Sequence, residues 1–328
     1  MPTLLVTNGD VVAATLAGLR PQDTVVAWQD ILHEGPVPGG VDAAALRAAR
    51  AAYLGGAYAA AGRDVLGELE RRDAAIAGHA AFARIELWFE HDLVDQLQLL
   101  QALDALAAAG RRRDVLMLPA PFHLGPLPTE RLGKLAGGLV PLDATAFTAA
   151  TEAWAAFRAP TPERLVAVAE APVAGLPFAA RALRRALEEL PRPGDGLSRT
   201  ERQILYSIDR GVDRVGPLFA RVLAMEEAAF LGDLPFFRTL SELAFARPPL
   251  VTGLPEPFAP ALMADDERRK AFVGARLKLT AAGRDTLAGR ADRVALIGLD
   301  RWLGGTHLTA AAPWRYDPET GELAGTAA

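Results

Sequence analysis

The sequence predicts an α/β fold: a parallel, four- to five-stranded, three-layer N-terminal domain, followed by helices and a winged-helix-like α+β C-terminal domain. Three observations carry that expectation. Four short apolar runs alternate with helical patterns in the first third of the chain. A Pro/Gly stretch, Pro191-Arg-Pro-Gly-Asp-Gly196, interrupts it past the middle, and such composition marks a boundary. Beyond it, three helical patterns precede two β-like segments, which is the winged-helix order.

The apolar runs are Thr3 to Val6, Thr24 to Trp28, Arg84 to Phe89 and Asp114 to Leu118. Runs this short, with little polar alternation, suit strands buried on both faces, and helices between them imply right-handed βαβ crossovers. Those helices are expected at Val11 to Leu19, Asp42 to Tyr58, Arg63 to Gly78 and Leu93 to Ala109. In the last, Leu93, Leu97, Leu100, Leu103 and Leu106 recur at steps of three and four, giving one apolar face. Gly110 stands where a C-terminal cap glycine belongs. A loop from Pro119 to Pro126 leads to helices at Thr145 to Phe157, Pro162 to Ala169 and Ala174 to Leu190.

After the hinge, Ser198 and Glu201 form a capping box that opens a helix to Arg210. Helices at Pro217 to Ala229 and Leu234 to Phe245 follow. Paired strands at Pro248 to Thr252 and Ala275 to Thr280 come next, joined by a polar loop. The expected division is 1–143 for the α/β domain, 144–195 for a helical extension and 196–328 for the winged-helix-like domain.

Bulk properties limit the function classes. The chain has 328 residues, more than one compact core usually takes. It is 51% hydrophobic and 23% charged, a globular composition. A net charge of −5 gives no general attraction to nucleic acid or anionic membrane. The 17 basic and 17 acidic residues within 197–328 leave the C-terminal part without a field favouring DNA. There is no cysteine, which excludes disulfides, thiolate metal sites and cysteine nucleophiles. No basic segment followed by an apolar one opens the chain, and no apolar run reaches the ~18 residues of a membrane span. The expectation is a cytoplasmic protein with a small-molecule ligand, no membrane partner, no DNA partner, and a homodimeric contact through the C-terminal domain.

Ligands of open parallel sheets bind beyond the carboxyl ends of the strands, so the residues after each strand are the candidates. Asn8, Gly9 and Asp10 follow the first strand; Asp30, His33 and Glu34 the second. Glu90, His91 and Asp92 follow the third, with Gln96 one helical turn on, and His123 follows the fourth. Three of the five histidines fall in these loops. Clustered carboxylates repel unless a proton or cation relieves them, so the pattern points to a functional site. Asp10 and Asp92 also stand where helix N-caps belong, and His79 lies away from the strand ends.

Two chemistries suit the set. In one, His33, Glu34, His91 and Asp92 bind a divalent metal that activates water. In the other, a His–Asp pair acts as acid and base while helix-start N–H groups hold an anion. Catalysis is assigned to His91, Asp92, His33, Glu34 and Asp10. Substrate binding is assigned to Asn8, Gly9, Asp30, Glu90, Gln96 and His123. No P-loop, G-x-G-x-x-G, H-E-x-x-H or G-x-S-x-G motif occurs.

At these residues the chain resembles a bacterial protein family defined by a domain of unknown function. The resemblance rests on Val6-Thr-Asn-Gly-Asp10, Trp28 to Pro38 (W-x-D-x-L-H-E-G-P-V-P) and Phe89 to Leu100 (F-x-H-D-L-x-D-Q-L-Q-L-L). Asp300-Arg-Trp-Leu-Gly-Gly-Thr-His-Leu308 looks like part of that family's usual partner domain. Val94 departs from the pattern, standing where the family has an aromatic. The resemblance implies the domain plan and the candidate residues, and supplies no substrate. The function expected is an enzyme, a hydrolase or group-transfer enzyme on a small polar or phosphorylated substrate. The alternative is a ligand-sensing regulator or protein-interaction module using the winged-helix-like domain. Gly304-Gly-Thr-His307 is read either as part of a lid over the site or as a plain hairpin with an exposed histidine.

Overall fold

Four parallel strands and the helices that return the chain between them build the N-terminal half. The computed structural model describes residues 1–59 and 62–325. Its elements begin with β1 (Thr3–Asn8), α1 (Asp10–Leu19), β2 (Thr24–Trp28), α2 (Ala43–Ala57), α3 (Val65–Ala77), β3 (Arg84–Phe89), α4 (Leu93–Ala108) and β4 (Val115–Pro119). Then come α5 (Thr129–Lys134), β5 (Val140–Pro141), α6 (Ala144–Phe157), α7 (Glu163–Ala169) and α8 (Ala179–Leu187). The sheet order is β2-β1-β3-β4-β5, parallel except for the short antiparallel β5 at its edge. The four main strands match the predicted runs to within two residues at either end. The fifth is too short to carry a periodic pattern.

Helices cover both faces. On one side Leu97, Leu100 and Leu103 of α4 pack with Phe147, Ala150 and Trp154 of α6 and Leu183 of α8. On the other, Val12 and Leu16 of α1 meet Leu5, Trp88, Leu118 and Leu132. Strands sandwiched this way have no solvent side, which is why they read as continuous apolar runs. The order reverses at β1 and β3, where the chain leaves β1 toward β2 and returns to β3. A doubly wound sheet opens its ligand crevice at that switch point. Gly110, with φ +83°, sits just past α4 as the spacing predicts.

The remaining elements are α9 (Arg199–Asp209), α10 (Val215–Leu223), α11 (Asp233–Phe245), β6 (Val251–Thr252), α12 (Pro260–Ala264), α13 (Asp266–Val273), β7 (Lys278–Leu279), α14 (Ala281–Leu287) and α15 (Arg293–Ile297). The tail forms β8 (Asp300–Leu303), β9 (Thr306–Thr309), β10 (Arg315–Tyr316) and β11 (Leu323–Ala324). Ser198 and Glu201 make the predicted capping box. β6 and β7 pair antiparallel, but the stretch between them is two short helices and not the predicted loop. Asp265 explains that: its carboxylate caps Glu267 and Arg268, and Phe272 buries against the C-terminal core. The helix predicted from Ala174 begins at Ala179, after Gly175 at φ +72° and Pro177.

Ile204, Leu218, Phe236, Leu240 and Phe272 centre a second core. The tail does not belong to it. Leu299, Leu303, Leu308, Trp314 and Tyr316 pack into the core of the sheet's α4–α6 face, and Val37 N–H donates to the Gly304 carbonyl at 2.7 Å. No described helix is long and apolar enough to cross a membrane.

A candidate active site at the β1/β3 switch point

Glu90, the residue after β3, is the hub. One carboxylate oxygen lies 2.6 Å from His123 Nδ1, and the other accepts the Leu124 backbone N–H at 2.6 Å. Both partners come from the loop after β4. Asp92 caps α4 by accepting the Asp95 backbone N–H at 3.1 Å, and its second oxygen lies 3.7 Å from His123 Nδ1. Asp92 is thus both a helix cap and a member of the cluster, two roles the sequence offered as alternatives. Asp95, one turn into α4, accepts the Glu90 N–H at 2.7 Å and the side-chain N–H of Asn8 at 2.6 Å. Gln96 donates to the Glu90 carbonyl at 2.6 Å, bracing the loop from behind.

Three carboxylates therefore cluster around the His123 ring. Asp95 is 1% exposed and Asp92 4%. Burial, reinforced by Glu90, pushes the Asp92 carboxyl up to about 7. Burial and the neighbouring Asp92 and Glu90 charges hold Asp95 well above the carboxylate range. The Glu90 hydrogen bond raises His123. A site that destabilises its own carboxylates accommodates a proton or a cation. Among the described residues Glu90, Asp92 and His123 form the one group whose ligand atoms all lie within 4.8 Å of one another. Two carboxylates and an imidazole are ligands for a borderline or hard divalent ion.

His91 stands between this cluster and a cleft. Its ring lies 5.5 Å from that of His123 and edge-on to Phe178 at 6.0 Å. Its Nδ1 is buried with no hydrogen-bond partner among the described residues. Burial, then His123 and Arg181, lower its proton affinity, so the ring is neutral. The cleft, about 190 Å³, is lined by His91 with Arg181, Arg184, Arg185 and Arg199, against Glu188 and Glu227. Three of these arginines sit on α8 at helical spacing. Their spacing alone does not show which way α8 faces.

The other predicted residues go elsewhere. Asp30 is wholly buried in an ion pair with Arg50, 2.6 Å away, with Arg72 at 3.9 Å; it is a structural anchor. Asp10 is the first residue of α1 but does not cap it; Gly9 is the N-cap residue, at φ +71°, and the Asp10 carboxylate accepts from Gln29. His33 and Glu34 face a different cavity. Glu34 accepts from the hydroxyls of Tyr53, at 3.0 Å, and Tyr58. His33 lies edge-on to Phe230, 5.2 Å away, in the segment between α10 and α11. Neither joins the Glu90–Asp92–His123 group. His79 Nε2–H donates to the Ala109 carbonyl at 3.0 Å, a packing role. His307 pairs with Asp300 at 2.8 Å and stacks on Trp302 within the β8–β9 hairpin. Compared with protein-family models and with curated proteins, the chain has no match.

Proposed function

We propose that this protein is a metal-assisted hydrolase or group-transfer enzyme acting on a small phosphorylated substrate. The observation that carries the reading is the convergence of Glu90, Asp92 and His123 at the switch point of the sheet. Glu90, Asp92 and His123 would hold a divalent ion, and that ion would supply an activated water and a Lewis acid. Asp95 and Asn8 orient the set from behind. Of the arginines beside His91, Arg181 pairs with Glu227, Arg185 with Glu189 and Glu226, and Arg199 with Glu188, while Arg184 makes no ion pair among the described residues and suits a phosphoryl oxygen. His91 at the boundary, neutral and with a ring nitrogen unpartnered among the described residues, suits a general base that takes a proton from the attacking water.

We read the α9–α10–α11 helices with the β6–β7 pair as a winged-helix-like unit that covers the α/β half. Its third helix, the one that would read DNA, turns Phe236, Phe237 and Leu240 into its own core. The one arginine of α11, Arg238, is held by Tyr53 at 2.6 Å and Glu242 at 3.1 Å. That favours an internal contact over a DNA partner. The resemblance to the bacterial family is part of the same proposal.

The test is a phosphomonoester and phosphodiester panel run with chelated and Mn²⁺-supplemented protein. Turnover should require the ion, collapse in Glu90→Gln, and show a raised KM in Arg181→Ala and Arg184→Ala. No turnover of any phosphoester, or turnover that survives both chelator and Glu90→Gln, rejects it.

A further inference from the structure

A second cavity, of about 130 Å³, lies where the loop after β2 meets α11 and the β8–β9 hairpin. Four acids, Glu34, Glu189, Glu242 and Asp300, line it against two bases, Arg238 and Arg301. The bases are already committed. Arg238 lies 3.1 Å from Glu242 and 4.0 Å from Glu34, one guanidinium between two carboxylates. Arg301 turns to the Glu189 carbonyl at 2.7 Å and to Glu201 at 3.6 Å. Glu189 is paired with Arg185 at 2.7 Å and Asp300 with His307 at 2.8 Å, so Glu34 and Glu242 are the acids that share one base. Burial and the nearby charges of Glu34 and Glu201 push Glu242 upward, against the pull of Arg238.

Two polar groups of this wall have no partner among the described residues. His33 is 6% exposed, and both its ring nitrogens are buried without a hydrogen bond. The Nε–H of Arg301 is buried and unpaired as well. Unsatisfied buried groups each cost free energy, so native structures rarely keep them without a ligand or water to complete them. Burial keeps the His33 ring neutral, so it offers one acceptor nitrogen and one donor. Trp302, stacked on His307 on one face, adds aromatic surface, whereas Phe230 already carries Arg185 over its ring at 4.8 Å.

We infer that this cavity binds a compact amine that also carries an oxygen acceptor, its ammonium group held by Glu34, Glu242 and the acceptor nitrogen of His33 and its oxygen by Arg301. The space suits such a molecule, since it equals about four waters at ~30 Å³ each. The site shares no residue with the Glu90 cluster, and binding there needs no metal.

Three probes of nearly equal size separate the possibilities: ethanolamine, ethylene glycol and glycolate. Each is titrated into the full chain with chelator present, and binding is read by ligand-observed NMR. Ethanolamine should bind saturably, and the neutral and anionic probes at least about tenfold more weakly. Glu242→Gln and Glu34→Gln should each weaken ethanolamine roughly fivefold or more, about the loss of one ion pair. Asp92→Asn should leave it unchanged. The inference is overturned if no probe binds, if glycolate binds as well as ethanolamine, or if Asp92→Asn and not Glu242→Gln abolishes binding.

Discussion

Asn8, the last residue of β1, donates its side-chain N–H to Asp95 on α4 at 2.6 Å, although the two stand 87 residues apart in the chain. That bond ties the two strands of the switch point together at their carboxyl ends. It also gives one oxygen of a buried carboxylate its only side-chain donor among the described residues. Asn8→Leu removes the donor and leaves the oxygen unsatisfied, which costs about 1–3 kcal/mol. Denaturant unfolding should show that loss. A variant as stable as wild type would mean that the bond does not hold the crevice together.

The pH response of the metal-free protein should carry the signature of Asp92. Its folded carboxyl titrates at about 7, above its value in the unfolded chain. A raised folded value adds stability at low pH that is lost as pH rises through the folded value. The contribution is fully present below pH ~4 and falls by about 1.4 kcal/mol per unit toward pH 7. His33, lowered by burial, works in the opposite direction below its unfolded value near 6.5. The difference between wild type and Asp92→Asn reports Asp92 together with its effect on Asp95, while asparagine keeps the helix cap. With chelator present, that difference should move against wild type from pH 5 to pH 7. A difference independent of pH contradicts the placement of Asp92.

Asp30 answers to a different partner. Arg50 approaches it at 2.6 Å with both groups buried, and Arg50 also donates to the carbonyls of Glu34, Pro36 and Ile31. Arg50→Met leaves a buried carboxylate and three carbonyls short of donors, a loss of about 3 kcal/mol or more. A change below about 1 kcal/mol in urea unfolding would argue that the loop after β2 is held by other contacts.

The tail is fastened to the first core at a glycine turn. Gly304 is at φ +58°, and a Cβ there would stand 2.0 Å from the Phe157 carbonyl oxygen. Gly304→Ala should therefore lower the stability by about 2 kcal/mol or more, through the strained backbone and the clash. Limited proteolysis should then release the segment from Asp300 onward first. Release no faster than in wild type would show that the hairpin is not clamped there.

Much of this was legible in the residues themselves. The Leu93-to-Leu106 spacing places α4 and its apolar face, and the four apolar runs place the parallel strands. The strand-end rule gathers Asn8, Glu90, Asp92 and His123, because β1, β3 and β4 are neighbours in the sheet. The same rule includes His33 and Glu34, which lie past β2 at the sheet's edge, where the chain turns away toward α11. Asp30 was indistinguishable from a site residue because its partner, Arg50, sits on α2, and pairing across elements leaves no local pattern. The arginines of α8 had the same limit: their spacing shows a helix, while their cleft is made by how α8 packs on α4. β5, at two residues, lies below the length at which any period can be read.

Calorimetric titration of chelator-stripped protein with Mn²⁺ decides whether Glu90, Asp92 and His123 bind a divalent ion. One ion per chain should bind, with release of protons at pH 7 as Asp92 ionises and loss of binding in Glu90→Gln and His123→Ala. Absence of binding, or binding of equal strength in both variants, would contradict that ion site.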